Sequence, residues 1–202
     1  MKKLLFVLIL FAVAPTAMAQ DPNDVIRSAS DQLATELDGR KEALADDPDA
    51  LYALIDQVLL PRFDRRYAAQ LVLGRHWRNA SAEQRERFID AFYGSLRRRY
   101  ADGVLEFDQE KIEVLPFRGD LTKPRTTVKT MVPLEDGTTV PVNYGMVKRE
   151  SGWLMFDVTI EGISYVRNFR TELNSEIQAT SLDAVIERLE SGGSAEQTLA
   201  DE

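Results

Sequence analysis

The sequence predicts an α+β domain: N-terminal helices packed on a curved four-stranded antiparallel meander, closed by C-terminal helices into a cone. Three observations carry this. Apolar residues recur every three to four positions from Pro22 to Tyr100. The period falls to two between residues 112 and 160. It returns to helical spacing after Glu161-Gly162, where Ile163, Val166, Phe169, Leu173 and Ile177 form one stripe. Helices, then a run of strands, then helices is the order of an α+β fold and not of alternating βα units.

The elements follow in order. Met1-Lys2-Lys3, the apolar run 4–13 and Ala17-Met18-Ala19 have the three parts of a secretory signal peptide, cleaved after Ala19. That run is too short to span a bilayer, and the mature chain is expected in a bacterial periplasm. Pro22 opens a helix with Ile26, Ala29, Leu33 and Leu37 on one face. Asp46-Asp47-Pro48 breaks the chain, and Asp49 suits the N-cap of a second helix bearing Leu51, Leu54, Ile55, Val58 and Leu59. Beyond Pro61, Phe63, Tyr67, Leu71 and Val72 keep helical spacing up to Gly74, an expected C-cap. Ser81 with Gln84 three residues on is a capping box. The helix it starts carries Phe88, Phe92, Leu96 and Tyr100 four apart, widened by Ile89 and Tyr93.

Four strands come next. Ile112, Val114 and Phe117 mark the first, and Val128, Thr130 and Val132 the second. Glu135-Asp136-Gly137 is a hairpin signal before Val140, Val142, Tyr144 and Met146. In the fourth strand Leu154, Phe156, Val158 and Ile160 alternate with Trp153, Met155, Asp157 and Thr159. Helices from Ile163 and from Leu182 close the domain, which is placed at 20–190. Residues 191–202 (SGGSAEQTLADE) have no apolar period and read as a disordered tail.

Composition removes several chemistries. There is no cysteine and one histidine, His76, which leaves no material for thiol catalysis or a His/Cys metal site. No metal, cofactor or catalytic set is expected. The net charge of −8 argues against nucleic acid and against adsorption to anionic bilayers. Ten arginines between residues 61 and 100 face only four acids, and the plain reading is a salt-bridged helical surface. Arg97-Arg98-Arg99 covers too wide an arc of helix to grip one ligand as a unit. Asp64, Asp157 and Glu161 could act as acid–base groups, but caps, turns and pairing with arginine are the commoner uses.

The pieces VLLPRFD (58–64), LGRHWR (73–78), SAEQRERFIDAFYGSLRRRYA (81–101) and GWLMFDVTIEGISYVRNFR (152–170) resemble the MlaC family of periplasmic phospholipid-binding proteins. The family pattern stands here as Pro61, Phe63, Asp64; Leu73, Gly74, Trp77; and Trp153, Asp157, Glu161, Gly162, Ser164. The resemblance spans roughly residues 22–190. It departs at Thr180-Ser181, where the family often has a glycine.

The resemblance implies an NTF2-like fold holding the tails of a diacyl phospholipid between sheet and helices. It implies a monomeric shuttle between an outer-membrane lipoprotein–porin complex and an inner-membrane MCE-domain protein of an ABC transporter, in the service of outer-membrane lipid asymmetry. The chemistry agrees: a diacyl lipid has about 28 tail methylenes, each costing about 0.8 kcal/mol to expose, so a carrier needs a sheltered apolar space. The expected walls are Phe63, Tyr67, Leu71, Val72 and Trp77; Phe88, Phe92, Leu96 and Tyr100 on the long helix; Val128, Val142, Tyr144 and Met146, with Phe156, Val158 and Ile160, on the strands; and Ile163, Val166 and Phe169 after the turn. At any one of these positions plain core packing is the competing use. The alternative function is an enzyme on the same fold using Asp157 as general base.

Overall fold

The computed structural model describes residues 21–106, 112–133 and 137–192. The signal segment 1–19, Glu135 and Asp136 of the hairpin, and residues 193–202 of the tail lie outside the described residues.

Each major helix begins at a side-chain cap that the sequence supplies. α1 (Pro22–Leu37) starts at Asp21, whose carboxylate accepts the Asn23 N–H at 2.9 Å. A five-residue helix, α2 (Lys41–Ala45), follows where no element was expected. α3 (Pro48–Leu59) is capped by Asp47 and not by Asp49. Pro48 occupies the first helical position, so the cap falls one residue before it, where Asp47 accepts the Ala50 N–H at 3.0 Å. Asp49 sits in the first turn, where its charge meets the positive end of the helix dipole. Asp64 caps α4 (Arg65–Leu73) through the Tyr67 N–H at 2.9 Å, and α4 turns into α5 (Arg75–Asn79) at Gly74, whose φ is 52°. α6 (Ala82–Leu105) carries the expected capping box: Gln84 N–H to Ser81 Oγ at 3.1 Å and Ser81 N–H to Gln84 Oε1 at 2.9 Å. α7 (Tyr165–Ala179) and α8 (Leu182–Glu190) close the chain.

Five strands form one antiparallel sheet in chain order: β1 (Glu113–Val114), β2 (Arg125–Pro133), β3 (Thr139–Arg149), β4 (Gly152–Ile160) and β5 (Ile163–Ser164). The α+β class and the meander are as read from the sequence. The fifth strand is a correction. Ile160 and Ile163 pair across a two-residue turn in which Glu161 and Gly162 have φ of 50° and 85°, both left-handed, as a tight hairpin requires. α7 therefore starts at Tyr165, with the Ser164 hydroxyl accepting the Arg167 N–H at 3.2 Å. Ile163 leaves the helical stripe and stands 64% exposed.

A Cβ on Gly162 would meet nothing within 4 Å, so only the backbone resists a side chain there. Gly162→Val is expected to lower stability by roughly 1–2 kcal/mol through its positive φ alone, read as a shifted urea midpoint with unchanged slope. An unchanged midpoint contradicts this.

β4 also departs from the simple alternation. Met155 pairs with Met146 and Asp157 with Gly145, which leaves Phe156 as the extra residue of a bulge. The bulge shifts the phase. Before it Trp153 and Met155 are the buried residues, at 2% and 7% exposure; beyond it the inward positions are Val158 and Ile160. Gly145 makes room for this: a Cβ there would lie 3.0 Å from the Phe156 ring.

Two compact cores frame the sheet. Trp153, Met155, Val128 and Met146 pack on Val25 and Ile26 of α1. On the helical side Phe88 and Phe92 stack at 5.6 Å, and Phe92 meets Phe169 edge-on at 5.4 Å, over Leu173, Val185, Ile186 and Leu189.

Candidate functional site

Two apolar hollows adjoin one another between sheet and helices. The first, about 260 Å³, is bounded by Ala68 of α4, Phe92 of α6, Phe156 and Ile160 of β4, and Tyr165, Val166 and Phe169 of α7. The second, about 210 Å³, is bounded by Ile55 and Leu59 of α3, Tyr93, Leu96, Arg97 and Val104 of α6, and Tyr144 and Met155 of the sheet. Phe63, Tyr100 and Val158 border both. A larger hollow, about 560 Å³, lies under the loop after β1, where Arg118, Lys129, Thr126 and Thr127 contribute to its lining. There Arg118 and Lys129 stand beside Leu115, Pro116 and Phe117, whereas the smaller pair is walled almost wholly by apolar atoms and is the candidate site.

The motifs recognised in the sequence place these walls. After a 3₁₀ turn over Leu60–Arg62, Phe63 bridges Met155 of β4, and the Asp64 N–H donates to the Met155 carbonyl at 2.8 Å. Asp64 then caps α4 and accepts Arg149 Nε at 2.7 Å. The Pro-x-Phe-Asp element thus fastens Phe63 at the partition between the hollows. At the other end, Asp157 accepts the Ser164 hydroxyl at 2.6 Å with one oxygen and the Val166 N–H at 3.0 Å with the other. This ties β4 to the start of α7 and sets Val166 and Phe169 against the first hollow. Both Asp157 oxygens are engaged in the corner, an unsuitable state for a general base. His76 lies elsewhere, its Nε2 3.0 Å from Asn174 Oδ1. Among the described residues no group of three or more His, Asp or Glu could hold a metal ion.

The walls carry little charge. Burial pushes the Tyr100 phenol up to about 12. Burial raises Tyr144 as well, and raises Tyr93 together with its hydrogen bond to Asp56, 2.9 Å from the hydroxyl. These phenols stay neutral at ordinary pH. The charged side chain in the second wall is Arg97, which is ion-paired with Asp56 and lies 4.8 Å from the centre of the Tyr52 ring.

Ten of the nineteen residues expected from the sequence border a hollow: Phe63, Phe92, Leu96, Tyr100, Tyr144, Phe156, Val158, Ile160, Val166 and Phe169. Tyr67 stands behind the wall, edge-on to Phe156 at 5.1 Å. Val72 and Phe88 belong to the helical core, and Trp77 packs against it, with Arg85 Nε donating to its carbonyl at 2.9 Å. Val128 and Met146 are in the core under α1. Leu71 and Val142 are half-buried and border neither hollow, and Ile163 is exposed. Ile55, Leu59, Ala68, Tyr93, Arg97, Val104, Met155, Asp157 and Tyr165 also border a hollow and were not expected as walls. Ile55, Leu59 and Tyr93 were already on helical stripes, but the bulge that turns Met155 inward leaves no local signal.

Residues 27–191 match the family model described as MlaC protein. A toluene tolerance protein of Pseudomonas putida is 29% identical over 179 residues, covering 87% of this chain and 83% of its own length. The intermembrane phospholipid transport system binding protein MlaC of Haemophilus influenzae is 24% identical over 195 residues, covering 95% and 91%. A solved structure of a phospholipid-binding protein from Ralstonia solanacearum, in complex with a phospholipid, superimposes with a TM-score of 0.76 at 22% identity, covering 86% of this chain and 97% of that one. That last likeness is one of fold.

Proposed function

Because the chain belongs to the MlaC family, we propose that it is a phospholipid carrier of the bacterial periplasm. The observation that carries this reading is the pair of adjacent hollows between sheet and helices, whose walls are almost wholly apolar. Hydrocarbon makes no hydrogen bonds, so a carrier needs apolar area and shape more than polar contacts. The names of the relatives, a phospholipid transport binding protein among them, point the same way. Among the described residues no helix is long and apolar enough to cross a membrane.

On this reading the segment 1–19 is removed on export and residues 20–190 form the working domain. The cargo is a diacyl phospholipid, its tails against the walls named above. The carrier, a monomer, passes it between an outer-membrane lipoprotein–porin complex and the MCE-domain protein of an inner-membrane ABC transporter.

The test is native mass spectrometry of protein purified without detergent. Masses of protein plus phospholipid are expected. Bare protein alone, together with no uptake from liposomes, overturns the reading. The enzyme alternative has no support in the geometry. Turnover of an offered substrate, abolished in Asp157→Asn with lipid binding intact, is the result that revives it.

A further inference from the structure

The larger hollow, under the loop after β1, lies along an open edge of the sheet. β1 pairs with β2 at Glu113–Met131 and Val114–Thr130, and the ladder ends where the Leu115 N–H donates to the Lys129 carbonyl at 3.0 Å. The next residue is Pro116, which has no N–H to continue it. Along an antiparallel strand alternate residues turn their backbone groups to the same side. Thr127 therefore presents its N–H and C=O on the side where Lys129 meets Leu115, and among the described residues no backbone group pairs with them there. The hollow, about 560 Å³, occupies that place. Its opposite wall is the loop, held close to the start of β2: a Cβ on Gly119 would lie 2.4 Å from Thr126 Oγ1 and 2.5 Å from the Phe117 ring.

Two cations flank this edge in a chain whose net charge is −8. Arg118 and Lys129 are exposed, and among the described residues neither side chain forms an ion pair or a hydrogen bond. Asp120, in the same loop, is engaged by the Thr122 N–H and hydroxyl at 2.9 and 2.6 Å. Glu113, at the end of the same edge, is ion-paired with neither cation. We propose that this edge takes an extended acidic segment of a partner protein, added as a short strand beside β2. Thr127 supplies one backbone donor and one acceptor, Arg118 and Lys129 meet the carboxylates, and Leu115 and Phe117 receive apolar side chains. The edge selects a peptide over a phosphate or a lipid head group, because a bare anion has no proton to offer the Thr127 carbonyl. No residue of this hollow borders the tail hollows, so the inference goes beyond the carrier reading: it gives a partner a place to hold the protein without touching the cargo.

The test titrates the whole chain after residue 19 with a short capped peptide of alternating glutamate and valine, followed by amide NMR. Shifts are expected at residues 115–119 and 126–129, with slowed hydrogen exchange of the Thr127 amide. The lysine–valine counterpart is expected to bind at least about tenfold more weakly. Arg118→Gln with Lys129→Gln, two exposed changes, is expected to weaken the acidic peptide about tenfold. Thr127→Pro removes the edge N–H where proline is tolerated, leaves both cations, and is expected to weaken it by about the same factor. No shift at these residues, or equal binding of the two peptides, overturns the inference. So does binding that survives Thr127→Pro and is matched by adsorption to phosphatidylglycerol liposomes, which assigns the cations to a membrane surface. Self-association that Thr127→Pro abolishes, without peptide binding, assigns the edge to a second copy of the chain and overturns it too. Lipid occupancy, read by native mass spectrometry, is expected to be the same in these variants as in the wild type, and its loss contradicts the separation of the two sites.

Discussion

Val158→Asp is expected to strip the protein of lipid while leaving it folded. Val158 borders both hollows, so a carboxylate there meets hydrocarbon on either side. An acyl chain that must pass it loses contact for three or four methylenes, about 3 kcal/mol at about 0.8 kcal/mol each, and occupancy falls roughly a hundredfold. The unloaded fold tolerates the change because Val158 is only half-buried and the new carboxylate can be hydrated in the empty hollow. Native mass spectrometry reads the occupancy and circular dichroism the fold. A folded Val158→Asp that retains its lipid contradicts the assignment of these hollows as the tail site.

Phe88→Ala is expected to do the reverse. Phe88 is fully buried, stacked on Phe92 within the helical core, and borders neither hollow. Truncation should cost about 3–5 kcal/mol, seen as a lower urea midpoint with unchanged slope, with lipid occupancy of the folded fraction unchanged. A loss under about 1 kcal/mol, or a selective loss of lipid at normal stability, would place Phe88 in the tail wall.

Phe88 and Phe92 show why the stripes on α6 could not separate wall from core. Both are apolar, four residues apart on one helical face. Phe92 reaches the first hollow and Phe88 does not, because Phe88 is closed in on all sides by the helical core while Phe92, beside Phe169, also meets the open space. Nothing local to either residue records which neighbour will cover it. The same holds for Arg97. In sequence it is the first of three like residues; in the fold Asp56, from a helix forty residues earlier, decides its surroundings.

What the sequence determined by itself is what local chemistry can encode. The α+β class followed from the change of period. The α6 boundary followed from the Ser81–Gln84 box, and the sharp corner after β4 from Gly162. Such features depend on residues within four or five positions of one another. Tertiary structure alone decided the rest: the bulge at Phe156, the two-residue strand that withdraws Ile163 from its helix, and the division of apolar residues between core and cavity. The physical reason is that burying an apolar side chain is favourable whatever touches it. A residue that fills a core and a residue that lines a tail site are therefore written in the same letters, and only the packing of distant elements leaves space beside one and none beside the other.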